Sequence, residues 1–339
     1  MCGRHFSGGL VRDPQFNIGS VCPPNDLHPD VLSCACGWTS QLRNFGLPHT
    51  WLMLLVLGIS LFVMASTSHA AGVVTTQMSG NTLTLTGDGQ GNRIQLKYAN
   101  SALIVGVTDY DDGTRIQGKN TFLNFKGDIV VNLNGGNDRF RVYDSQISLT
   151  NLTVDMGTGE SEEVDIRNLT LAGNLAITSR GTKLNSSVSP GSGSDIRVES
   201  VVIRGNVRIN TGTGTDLVTI LPLDATPPRI SGNVSIDTRD GDDFVGIGIN
   251  GSHWPNTSAQ IGGTVTIRTG AGPDICDLWV KMSGVDVLLG DGDDTLYAYV
   301  CGTRGGSAKL DGGAGSDWFR NSGGNSSSFT QGLVGFERR

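Results

Sequence analysis

Six aspartates share one sequence environment. Asp138, Asp216, Asp243, Asp274, Asp294 and Asp317 each stand two residues after a glycine, in a turn flanked on both sides by alternating apolar residues. Around Asp216 these are Val207, Ile209, Val218 and Ile220; around Asp274 they are Val265, Ile267, Cys276 and Leu278. If successive turns stack at the strand spacing of about 4.8 Å, their carboxylates form a column, and neighbouring like charges repel by roughly 0.9 kcal/mol per pair in water. Calcium, bound by oxygens at about 2.3–2.6 Å, can bridge two carboxylates at that separation and remove the cost. Asp240, Asp242, Asp291 and Asp293 supply further oxygens beside Asp243 and Asp294. A second reading needs no metal: each aspartate bonds its own turn backbone. Residue types and spacing fit both.

The elements that must position such a column follow from the periodicity. Apolar residues at every second position on either side of a glycine turn mean strand, corner, strand, with alternate side chains pointing into one interior. The same offsets return at Asn92, with Leu83, Leu85, Ile94 and Leu96, and at Glu162 after a one-residue slip. Asp195 has its apolar neighbours at odd offsets, and the pattern fades after Phe319. A nearly constant corner at intervals such as 20 residues (Asp274 to Asp294) and 31 residues (Asp243 to Asp274) describes a chain that coils once per repeat. The expected fold is all-β, a parallel β-solenoid or β-helix with coils of about 20–32 residues. Gly173-Asn174, Gly205-Asn206, Gly232-Asn233 and Gly263-Thr264 mark a second corner, and 248–258 reads as a bulging loop. Residues 72–128 are expected as opening coils or a cap, and 318–339 as a polar segment closing the exposed edge.

The turns also resemble a known family. Gly312–Arg320 (GGAGSDWFR) matches the nonapeptide G-G-x-G-x-D-x-U-x of haemolysin-type, RTX-like calcium-binding repeats, and Leu289–Tyr297 lacks only its first glycine. Residues 211–219 and 269–277 match similarly. The resemblance implies secretion, a parallel β-roll, and calcium held by the motif aspartates together with carbonyls of the glycine turns. In that family the nonapeptides usually stand in tandem, whereas here each is followed by a longer stretch of roughly 11 to 23 residues.

Composition excludes several other classes. There are 49 Gly in 339 residues and a net charge of −7, which argue against a helical bundle and against nucleic acid as a partner. Only His253 lies beyond residue 70, so histidine-based catalysis has little to work with. Trp51–Ala65 is an uncharged apolar run with small residues at Ser68 and Ala70, the pattern of a signal peptide over 51–70, and it is too short for a membrane span. Residues 1–50 read as an unstructured extension ahead of a start nearer Arg43; Cys22, His28, Cys34 and Cys36 lack paired zinc-site spacing. The mature domain, 71–339, is thus expected outside the cell or on its surface. Cys276 takes an inward offset and Cys301 does not, which disfavours a disulfide between them.

An extracellular polysaccharide lyase or glycosidase on a β-helix is the alternative function. It would need paired carboxylates or a catalytic Arg or Lys on one face, and Arg139, Arg141, Arg197 and Arg204 near Asp138 and Asp195 read instead as solvated ion pairs. Trp254 is the one plausible sugar contact in a long loop. The leading expectation is a structural, adhesive or surface role with calcium as folding cofactor, and an extracellular polysaccharide or cell-surface component as the candidate partner.

Overall fold

Residues 72–338, apart from 109–112, 144–146, 183–192, 224–225, 249–257, 299–301, 304–307 and 322–331, are described in a computed structural model. The 1–50 extension, the apolar run at 51–70, Trp254 and Cys301 lie outside the described residues. Among the described residues there is no helix, and the strands form three sheets of twelve, twelve and seven members. Between Asp128 and Asn321 each sheet collects every third strand of the chain, and from Asp128 onward neighbours are parallel. This is a parallel β-solenoid.

One coil shows how the sequence produces it. Val207–Asn210 lies in the first sheet, the turn at 211–216 leads to Leu217–Leu221 in the second, and Arg229–Ile230 gives a short strand of the third before Val234–Asp237 re-enters the first. Val207, Ile209, Val218 and Ile220 are fully or almost fully buried, whereas Arg208 and Asn210 face outward. In-register pairing carries each inward position from coil to coil: Leu83, Ile129, Leu152, Leu175, Val207, Val234, Val265 and Val285 form one file, and Ile94, Phe140, Val164, Ile196, Val218, Val245, Cys276 and Leu296 another. Cys276 sits in that second file with no exposed surface, as its offset predicts.

The core is one continuous apolar rod, so a void at one level loses contacts with the levels above and below it. Phe140, fully buried, is the largest side chain of its file. Phe140→Ala should cost about 3–5 kcal/mol in urea-induced unfolding; a loss below 1 kcal/mol would mean that the early coils are not packed as described.

Two details depart from strict repetition. The slip at Glu162 arises from a register shift in Leu152–Gly159, between Asp155 and Thr158, with Gly157 at φ 83°. Asp195 is not the corner residue of its coil. Ser194 holds that position, which is why the buried Ile196 and Val198 lie at odd offsets from Asp195.

The opening of the rod also differs. Val73–Ser79 with Thr82–Thr86, and Arg93–Ala99 with Ala102–Val107, are antiparallel hairpins, and Thr121–Leu123 adds a further antiparallel strand.

The second corner is a ladder of amides. The Asn174 N–H donates to Asn151 Oδ1 (2.7 Å), and the N–H groups of Asn206, Asn233 and Thr264 donate to Oδ1 of Asn174, Asn206 and Asn233, each at 2.8 Å. The glycine of each Gly-Asn pair is required by this contact: a Cβ on Gly205 would lie 2.4 Å from Asn174 Oδ1.

Candidate functional site

The glycine corner between the first and second sheets carries the carboxylate column. Its turns use left-handed backbone, as at Gly290 (φ 118°) and Gly292 (φ 151°), immediately before Asp294. The turn folds back sharply enough to point the following aspartate inward. Asp138, Asp216, Asp243, Asp274, Asp294 and Asp317 are all buried, with at most 2% of their surface exposed.

Each carboxyl is tied to the preceding coil. Asp216 Oδ1 accepts the Ser194 N–H at 2.5 Å, Asp243 that of Asp216 at 2.8 Å, and Asp274 that of Asp243 at 2.9 Å. Asp294 and Asp317 continue the series, accepting from Asp274 at 2.8 Å and Asp294 at 3.0 Å. At the other end Asp138 accepts from Asn92 at 2.6 Å, and Glu162 Oε2 from Asp138 at 3.0 Å. The turn-residue reading therefore needs modification: the aspartates do bond turn backbone, but that of the neighbouring coil.

The second oxygen of every one of these groups is different. Oδ2 of Asp138, Asp216, Asp243, Asp274, Asp294 and Asp317, and Oε1 of Glu162, are buried without a hydrogen-bond partner. The hydroxyls of Thr211, Thr238 and Thr269 lie beside the carboxyls of Asp216, Asp243 and Asp274, whose charged forms they favour, and each also reaches a carbonyl of the next coil.

Burial consequently pushes the carboxyls upward. Asp243 is raised to about 8, Asp138 and Asp274 to about 7, Asp216 and Asp294 to about 6, and Glu162 to about 9. Asp317 is raised as well. Desolvation is the largest cause in each case and the charge of neighbouring acids adds to it in most, against the smaller opposing effects of the backbone N–H bonds and of side-chain hydrogen bonds from Thr211 to Asp216, Thr238 to Asp243, Thr269 to Asp274 and Asn92 to Asp138.

The four flanking acids do not join the column. Asp240, Asp242, Asp291 and Asp293 are exposed on the outside of the same corner, and Asp293 Oδ1 accepts the Ser316 N–H at 3.0 Å. Among the described residues no three His, Cys, Asp or Glu side chains converge into a ready metal cage. Glu162 belongs to the column although the glycine spacing does not select it; the one-residue slip was its signal.

Outside the corner over the early coils lies a depression of about 660 Å³, lined by Gln90, Arg93, Asn137, Thr158, Glu160 and Thr182 among glycines. Its lining holds no aromatic ring, His or Cys. Of the four candidate catalytic arginines, Arg139, Arg141 and Arg197 are paired on the outer face of the second sheet, whereas Arg204 is exposed just after the third-sheet strand Val202–Ile203. Arg139 and Arg141 bridge to Glu163, the latter at 2.8 Å, and Arg197 to Asp195 at 2.6 Å; Arg167 joins Asp165 and Glu199 at 2.8 and 3.0 Å.

No family model, curated protein or solved structure matches the chain.

Proposed function

We propose that residues 71–339 form an exported, non-catalytic solenoid with a structural or adhesive role in the extracellular space or on a cell surface, and that calcium loads its carboxylate column at neutral pH. The observation that carries the calcium reading is the file of seven buried carboxyl oxygens without partners. An orphaned, desolvated oxygen is costly whether the carboxyl is ionised or holds a proton that it cannot donate. A hard divalent cation coordinated by that oxygen and by turn carbonyls would offset the cost, and the resemblance of the turns to RTX-like repeats points to the same ion. Export rests on the apolar run at 51–65 and the small residues that follow it. We favour this reading over a lyase or glycosidase because Arg139, Arg141 and Arg197 are committed to carboxylates of the same sheet face.

A ligand that binds only the folded state adds RT ln(1+[L]/Kd), about 2.7 kcal/mol at a hundredfold excess over Kd. At pH 8 the melting temperature should therefore rise with millimolar calcium and fall with chelator. Asp294→Asn should blunt the response, because the amide keeps the acceptor for the Asp274 N–H but loses the charge. A melting temperature indifferent to calcium, in parent and variant alike, would refute the calcium reading.

A further inference from the structure

The third sheet presents an exposed, basic face. Pairing aligns Val202, Arg229, Gln260 and Lys281 on four consecutive coils, and all four point outward and are exposed. Arg204, at the second corner beside this row, is exposed too. The segments that build the face, 201–207, 226–234, 258–265 and 279–285, contain no acid. No carboxylate of the described residues pairs with Arg204, Arg229 or Lys281.

Across the coil stands the glycine corner. Three sheets in each coil put the third opposite the corner that joins the first and second. Outside that corner Asp240, Ala271, Asp291 and Ala314 follow one another on consecutive coils, and all four are exposed. Asp242, Pro273 and Asp293 are exposed two residues further along the same turns. Against these four acids the corner sets one exposed cation, Arg239.

The two charge patterns match level by level. The coil that carries Arg229 on the third sheet carries Asp240 and Asp242 at the corner; the next carries Gln260 and the uncharged Ala271 and Pro273; the one after carries Lys281 and, at the corner, Asp291 and Asp293. Cation, neutral, cation on one side thus stands at the same heights as acid, neutral, acid on the other, with the charged levels about 9.6 Å apart. Moving one molecule sideways, without rotation or axial shift, brings each cation to a pair of acids and the neutral level to a neutral one.

We propose that the third-sheet face of one molecule docks against the acid corner of a second copy of this chain, the two rods lying side by side, parallel and level. Complementary charge selects this partner and sets the alignment. The two surfaces lie on opposite sides of the rod, so each contact leaves one of them free on either molecule, and association continues as a row instead of closing as a dimer. Exposed pairs are weak singly, so the row needs high protein concentration and low ionic strength. Such a row gives the structural role a partner and rests on that reading, but it does not involve the buried column and needs no calcium.

The test is sedimentation velocity of the full chain in chelator at about 10 mM and about 1 M ionic strength, where charges are screened beyond about 30 Å and about 3 Å. We expect concentration-dependent species of dimer size and above at low ionic strength, with the apparent association constant falling at least about tenfold at high. Arg229→Glu with Lys281→Glu should abolish association, and so should Asp240→Lys, Asp242→Lys, Asp291→Lys and Asp293→Lys together. An equimolar mixture of the two variants should associate again, because each altered face then meets an altered corner of opposite charge. If charge reversal harms the fold, the milder Arg229→Gln with Lys281→Gln should still weaken association severalfold. A parent that stays monomeric at low ionic strength, or that forms larger species only with added polygalacturonate, would overturn the proposal. So would association that survives high salt, or a mixture of folded variants that stays monomeric. A monomer whose melting temperature rises with calcium would fault this inference alone; salt-sensitive rows whose melting ignores calcium would fault the calcium reading alone.

Discussion

In chelator, raising the pH from 5.5 to 8.5 should lower the melting temperature by about 10 °C or more, since each unit of raised pKa is worth about 1.4 kcal/mol and several buried carboxyls act together. The sign follows from the direction of the shifts. Column acids whose folded-state values lie above their unfolded ones hold protons more tightly when folded. Their contribution is intact below the ordinary carboxylate range near 4 and is lost as the pH rises through about 6 to 9. Asp243→Asn should be more stable than the parent at pH 8.5 in chelator, because the amide oxygen still accepts the Asp216 N–H and there is no charge to bury. Added calcium should flatten the pH dependence of the parent. If stability instead rose from pH 5.5 to 8.5 in chelator, the acids would be ionised and satisfied in the fold, contrary to the geometry.

Gly290→Ala should be among the most damaging single-methyl additions in the molecule. Gly290 has φ 118°, a region that L side chains rarely adopt, and an added Cβ would lie 1.7 Å from the Gly270 carbonyl oxygen of the adjacent coil. That neighbour is backbone and cannot turn aside, so the two coils must separate at the corner where Asp274 N–H reaches Asp294 Oδ1 at 2.8 Å. A loss of at least about 3 kcal/mol is expected in chemical denaturation. Gly89→Ala is the matched control: an added Cβ there meets nothing within 4 Å, and stability should change by no more than about 0.5 kcal/mol.

Much of the architecture was legible because a solenoid writes its geometry into the chain once per coil. The offsets about Asp216, Asp243, Asp274 and Asp294 marked inward positions that are buried in the fold, and the Gly-Asn pairs marked a true second corner. The limits of that reading are equally physical. Spacing identifies which aspartates recur, but not that Oδ1 reaches the preceding coil rather than its own turn, since that depends on how coils stack. It does not separate Asp243, turned inward, from Asp242, turned outward one residue away. Nor does it show that Phe244, Tyr297 and Trp318, 53 and 21 residues apart in sequence, share one sheet, since only the pairing register of coils of unequal length brings them onto it.

The two corner ladders have opposite senses. In the acid column the N–H of one coil donates forward, to the carboxyl of the coil that follows; in the amide ladder the N–H donates backward, to the Asn of the coil before. Peeling a coil from the C-terminal side would strip the acceptor from an acid-corner N–H, and peeling one from the N-terminal side would strip the acceptor from an amide-corner N–H. Each interior coil is thus fastened from both directions, so neither end offers a cheap starting point for unzipping, and loss of structure is driven toward a concerted transition of the whole rod.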